Sequence, residues 1–305
     1  MKRILLILVF VLIGIPIIKA QELTVASFNI RYENASDSVN GNGWPQRLPV
    51  ICDLIRFHNF EIFGAQEVLH GQLVDMLAGL PGYSYVGVGR DDGKTQGEYA
   101  PIFYQKDKFK VLKSGNFWLS EITDRPNKGW DAALPRICTW AKMKAFETGF
   151  EFYFFNLHMD HRGVEARKNS AKLVLKKITE MCGDNPVILT GDFNVDQHSA
   201  DYTLLQGSDL LNDAYEVASV RYALNGTFSD FKVNRKTESR IDHVFVSDSF
   251  TVARYGVLTD TYRTEIKDGE SEQSGNFPKE VSLTKYVARI PSDHFPVKVV
   301  LRFND

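Results

Sequence analysis

The chain alternates apolar and polar positions over Leu23-Thr24-Val25-Ala26-Ser27-Phe28-Asn29-Ile30, the period of a half-buried strand. A loop rich in Gly and Asn follows (40–43), and then Leu48, Ile51, Cys52 and Ile55 recur at helical spacing. A short apolar run over 61–68 contains Glu67 near its end, and a second helix is expected over 72–80. Strand-like runs come next at 83–88, 100–104, 109–119, 137–146 and 151–159, several split by short turns that favour antiparallel pairing. The period changes over 164–181, where Ala171, Val174, Leu175 and Ile178 share one helical face. Arg167, Lys168, Lys172, Lys176 and Lys177 fall mostly outside that face and read as its solvated side. Strands resume at 186–190, 240–247, 251–258 and 294–303, and the polar stretch 264–279 reads as a mobile surface loop near the C-terminal polar residues. Sheets this apolar must pack on one another and be covered by helices.

Residues 1–20 stand apart. Lys2 and Arg3 precede an apolar run from Ile4 to Ile18, interrupted by Gly14 and Pro16, and Ala20 offers a small residue for cleavage. This is the pattern of a secretory signal, so 21–305 is read as one domain exported to the periplasm or beyond, with no transmembrane segment in the mature chain. Removing Lys2, Arg3 and Lys19 takes the formal charge from −2 to −5. Cys52, Cys138 and Cys182 are odd in number and widely spaced, which is no disulfide framework, and no Cys/His spacing suggests zinc.

Polar chemistry gathers where apolar runs begin or end. Gly191-Asp192-Phe193-Asn194 follows the run 186–190, and Ser292-Asp293-His294 precedes the run that starts at His294. Carboxylates, an amide and an imidazole at strand ends supply oxygen ligands for a hard cation and a base for water. Each motif taken singly also fits a polar turn. In order along the chain stand Ser27-Phe28-Asn29, Gln66-Glu67, Asn156-Leu157-His158, Gly191-Asp192-Phe193-Asn194, Arg240-Ile241-Asp242-His243 and Ser292-Asp293-His294. The ordered set resembles the endonuclease/exonuclease/phosphatase superfamily over nearly all of the mature chain. The resemblance implies a four-layer α/β sandwich, with two mixed β-sheets packed face to face and flanked by helices.

It also implies a divalent-metal-dependent phosphoester hydrolase whose attacking water is activated by Asp and His. Glu67 would ligate Mg²⁺ or Mn²⁺, Asn29 would hold or hydrogen-bond the metal's surroundings, and Asp293 would add a carboxylate there or orient His294. His294 would contact the scissile phosphate, with Asp242 fixing its tautomer. Asp192 would position or deprotonate the water, Asn194 would donate to the charge developing on phosphorus, and His158 would bond a non-bridging oxygen. Which residue is the general base stays open, as does the choice between diester and monoester.

On the substrate side, Arg162 offers a bidentate phosphate grip or, alternatively, belongs to a polar loop capping the helix after it. Arg136 lies in an aromatic and basic segment with Phe117, Trp118 and Trp130, which suits a base, sugar or lipid headgroup or else simple strand packing, and Glu98 stands at the mouth of an apolar run. The acidic balance and the lack of a Lys/Arg block disfavour nucleic acid relative to a small or medium phosphoester. An exported endonuclease or exonuclease and a non-catalytic binding relative are the alternatives. A non-catalytic relative would be expected to lose Glu67, Asp192, Asp242 or His294, and all four are present.

Overall fold

The structure, a computed structural model, describes residues 22–266, 271–272 and 278–303. The signal-like segment 1–20 and most of the polar insert lie outside the described residues. In chain order the elements are β1 (Glu22–Asn29), α1 (Ala35–Val39), α2 (Trp44–Phe57), β2 (Ile62–Gln66), α3 (His70–Gly79), β3 (Tyr83–Val86), β4 (Ile102–Gln105), β5 (Phe109–Trp118), β6 (Ile137–Ala145) and β7 (Glu151–His158). After these come α4 (Val164–Cys182), β8 (Val187–Asp192), α5 (Ala200–Gln206), β9 (Asn212–Asp213), α6 (Ala214–Val217), β10 (Val220–Tyr222), β11 (Asp242–Val246) and β12 (Phe250–Val257). The chain ends with four short strands, β13 (Tyr262–Glu265), β14 (Ser271–Glu272), β15 (Leu283–Thr284) and β16 (Tyr286–Arg289), and then β17 (Val297–Phe303).

One sheet runs β10-β12-β17-β1-β2-β4-β3 and the other β5-β6-β7-β8-β11-β9. The alternation in β1 explains the layering. Leu23 and Val25 join the apolar layer between the sheets, whereas Ala26 and Phe28 face outward under Ile51, Ile55 and Leu73 of α2 and α3. On the second sheet Phe154 and Ile188 point inward, while Phe155 and Leu189 pack beneath Ala171, Val174 and Ile178 of α4. Strands buried on both faces read as unbroken apolar runs. The result is the four-layer sandwich with two mixed sheets and outer helices.

A polar cluster stitches the two sheets near one end. Asn156 of β7 donates to the Ala65 and Pro101 carbonyls (2.7 and 2.9 Å) and accepts from Gln66 Nε2 (2.7 Å) and Thr190 Oγ1 (3.1 Å). Gly64 of β2 faces this cluster, where a Cβ would strike Asn156 Oδ1 and Thr190 Oγ1.

One expectation is corrected and two open readings are decided. The stretch 264–279 is no uniform loop: its first residues belong to β13, paired with β16, and Ser271–Glu272 pair with Leu283–Thr284. Phe117 and Trp118 are buried, so these two aromatics serve packing. The start of α4 is capped from a distant loop, since Asp131 Oδ1 accepts from Ala166 N at 2.7 Å and Oδ2 from Glu165 N at 3.3 Å.

Candidate active site

Parallel pairing brings the polar strand ends together. β1 and β2 run parallel and end side by side at Asn29 and Gln66, so Glu67 follows immediately. β7 and β8 run parallel with His158 opposite Asp192, and antiparallel β11 places Asp242 opposite Asp192 from the other side. A bridge between Phe228 and His294 brings in the segment ahead of β17. Three non-glycine residues leave these strand ends with positive φ: Arg31 (59°), Glu67 (61°) and Asn194 (51°). Side chains larger than glycine pay for that conformation, and its gathering at one sheet edge marks a site that the surrounding fold enforces.

His294 Nδ1 lies 2.8 Å from Asp242 Oδ2, and its Nε2 is 3.8 Å from Asp192 Oδ2. Burial works against the charged ring, but Asp242 and then Asp192 outweigh it and hold the His294 pKa well above its ordinary value. His158, with Nε2 at 3.4 Å from Asp192 Oδ2, goes the opposite way: burial first, then Arg136 and Arg90, press its pKa well below the usual range. The two imidazoles that flank one carboxylate therefore have their pKa values driven in opposite directions. Burial and the neighbouring Asp242 push Asp192 up to about 7. Its Oδ2 accepts from Asn29 Nδ2 (3.0 Å) and its Oδ1 from Asn194 N (3.0 Å). Titratable groups pushed apart in this way are the signature of assigned acid and base roles. Asn194 Nδ2 donates one N–H to the Met159 carbonyl at 3.0 Å and keeps the other.

The oxygen-rich corner lies beside this pair. Glu67 Oε1 accepts from Asn29 Nδ2 (3.2 Å) and Oε2 from Tyr32 N (3.1 Å). Asp293 is pushed up by burial and further by the charge on Glu67, against the pull of His294 and Arg31. Two carboxylates that destabilise each other, with an amide tying one to Asp192, fit a hard divalent cation that takes oxygen and keeps its waters. The tightest carboxylate–imidazole group is Asp192, Asp242 and His294, whose ligand atoms lie within 4.8 Å of one another. Its imidazole Nδ1 is already engaged by Asp242 Oδ2, whereas Glu67 and Asp293 offer carboxylate oxygens alone, the donors a hard divalent cation prefers.

Glu67, Glu98, Arg136, His158, Asp192, Asn194, Asp293 and His294 all border one cleft of about 520 Å³. Asp242 lies beneath it behind His294, and Asn29 is fully buried between Glu67 and Asp192. Glu98 is clamped by both Nη atoms of Arg90 (2.7 and 2.8 Å) and lies 3.8 Å from His158 Nδ1, too far for a hydrogen bond. Arg162 is exposed and does not border the cleft, and its N–H bonds Asp160 Oδ1 (3.0 Å) in the polar loop ahead of α4. Sequence reasoning missed Arg31, His161 and Phe228, which also border the cleft. Arg31 pairs with Asp37 (2.9 Å) and Asp293 (3.4 Å), and the Phe228 ring, 40% exposed, stands edge-on to His294. Only His161 carried a signal, as one of three polar residues following Met159.

Residues 26–294 match the Endonuclease/Exonuclease/phosphatase family. A solved endonuclease/exonuclease/phosphatase family protein from Bacteroides thetaiotaomicron is 55% identical, covers 93% of this chain and 98% of its own, and superposes with a TM-score of 0.86. A mannosyl-6-phosphatase from the same organism is 55% identical, with 92% of this chain and 100% of that chain covered and a TM-score of 0.85. An uncharacterised protein of Acanthamoeba polyphaga mimivirus is 27% identical over 271 residues, 84% of this chain and 91% of its own.

Proposed function

The chain belongs to the Endonuclease/Exonuclease/phosphatase family and is a phosphoric ester hydrolase; from that premise we propose that it is an exported, divalent-cation-dependent phosphatase acting on a hexose 6-phosphate, mannose first. The likeness to a mannosyl-6-phosphatase over the whole fold carries this reading. The cleft supports it, because about 520 Å³ suits a small ligand and its floor holds the charged groups a phosphate needs.

Each residue then has work to do. Glu67 and Asp293 would hold a divalent cation, which when bound would supply positive charge to the phosphate oxygens; Mg²⁺ suits that oxygen set, with Mn²⁺ as the alternative. Asp242 fixes the proton on His294 Nδ1, so the charged ring offers Nε2–H to a phosphate oxygen. Asp192, with its pKa near neutrality, takes the proton of the attacking water. His158 stays neutral beside it, and the free N–H of Asn194 faces the charge that grows in the transition state. Residues 1–20 are proposed as an export signal, which places the mature enzyme in the periplasm or outside the cell.

The test is turnover of mannose 6-phosphate, glucose 6-phosphate, glycerol phosphate, bis(p-nitrophenyl) phosphate and plasmid DNA, with Mg²⁺ or Mn²⁺ and then with chelator. Hexose 6-phosphates should lead the panel and chelator should abolish turnover. Preference for the diester or for plasmid overturns the substrate reading. A silent panel with every ion favours a binding protein.

A further inference from the structure

His161 borders the cleft on the wall formed by the β7–α4 loop, outside the carboxylate and imidazole set described above. Its Nδ1 lies 2.9 Å from Arg136 Nη2. A guanidinium has only N–H donors, so Nδ1 must be the acceptor and the ring proton must sit on Nε2. Arg136 is itself held. It is 4% exposed, and its Nε bonds Asp160 Oδ2 at 3.3 Å. Asp160 is in turn fixed by backbone N–H groups, with Arg162 and Gly163 on Oδ1 (3.0 and 2.8 Å) and Leu134 on Oδ2 (3.3 Å). The chain Asp160–Arg136–His161 thus sets both the orientation and the tautomer of an exposed ring. Partial burial and the charge of Arg136 also push the pKa of that ring below its ordinary value. Among the described residues Nε2–H has no hydrogen-bond partner.

We propose that His161 is a specificity residue whose neutral Nε2–H donates to a hydroxyl of the sugar that carries the phosphate. The inference rests on the phosphatase reading and names how that site tells a sugar from other alcohols. A neutral, pre-aimed donor adds no charge to a floor already served by Arg31, Arg136 and protonated His294. It suits a hydroxyl oxygen, and an ester without that hydroxyl leaves it unpaired. Arg136 acts through His161 as its positioning residue.

Three measurements on the full-length mature protein test this. His161→Ala should lose about tenfold in kcat/KM on hexose 6-phosphate, the worth of about one hydrogen bond, mainly through KM. The same variant should stay within about threefold of wild type on p-nitrophenyl phosphate, which has no hydroxyl to contact. Nitrogen-15 spectra should place the His161 proton on Nε2 in wild type. Equal losses on both esters make His161 a phosphate or structural contact and overturn the proposal, as does an unchanged hexose rate or a proton found on Nδ1. Should wild type reject hexose phosphates yet hydrolyse glycerol phosphate, the substrate reading fails by itself. His161 is then judged by glycerol phosphate against p-nitrophenyl phosphate under the same criteria.

Discussion

At the scale of single residues, the bond from His294 Nδ1 to Asp242 Oδ2 leaves Nε2, the nitrogen nearer Asp192, for the proposed contact with phosphate. His294→Ala and Asp192→Ala should each lower turnover by about 10²–10⁴, the range for a positioned acid–base group, with circular dichroism unchanged. Glu67→Gln keeps the shape and removes the ligand charge, so half-maximal activity should need about tenfold or more Mg²⁺. Near-normal activity of that variant at low Mg²⁺ would remove Glu67 from the metal site. Asp160 makes a separate prediction. Burial alone would raise its pKa, but the N–H groups of Gly163 and Arg162 and the charge of Arg136 win and hold it below the usual carboxylate range. A depressed pKa contributes stability above the unfolded-state value and loses it as pH falls through the folded-state value. Asp160→Asn should therefore cost about 3 kcal/mol at pH 7, as breaking a buried pair does. Urea denaturation at stepped pH should show the gap constant above about pH 5 and narrowing below it. The strand-end residues were legible because each interrupts an apolar run with a charge or an amide. Arg31 and Phe228 were not, since one follows β1 in an irregular segment with positive φ and the other enters only through a bridge 66 residues away in sequence.

At the scale of elements, the polar cluster at Asn156 ties the two sheets together where the strands carrying the candidate site end. Gly64 is the residue that permits it, because β2 must pass Asn156 and Thr190 without a side chain. Asn156 cannot swing aside without abandoning two carbonyls and an amide partner. Gly64→Ala should then destabilise the fold by about 3 kcal/mol, the upper range for overpacking, read as a lower urea midpoint with little change in slope. A midpoint within error of wild type would show that the cluster relaxes freely. The long elements were readable in the chain because each buries one or two complete faces, as in the inward and outward residues of β1 or the Ala171–Ile178 stripe of α4. The small ones were not. α5 buries only Tyr202 and Leu205, and β9 is two residues long, so neither repeats a period enough to show. The pairing order was equally hidden, because β1 lies between β17 and β2 through contacts across the whole chain.

At the scale of the whole molecule, charge separates the two phosphoester chemistries that this fold supports. Beside the cleft Lys232 and Lys236 already pair with Asp230 and Glu238, so the nearby basic loop is largely neutralised. Arg31 and Arg136 are likewise engaged with Asp37 and Asp160. The net charge of the chain is negative. Duplex DNA binding depends on several lysines and arginines that displace counterions, and with six to ten phosphate contacts affinity falls about 10³–10⁵-fold between 50 and 200 mM salt. In the proposed site a single phosphate would meet one cation and one imidazolium and so release few counterions. Its kcat/KM should change by less than about threefold over the same interval. Hydrolysis of hexose 6-phosphate measured across that salt range, beside plasmid nicking under identical conditions, separates the two. A nearly flat profile for the sugar phosphate with weak nicking that vanishes by 200 mM is the expected pair. Vigorous nicking that survives 200 mM salt would mean that distant basic residues form a groove, and the enzyme would stand with the nucleases.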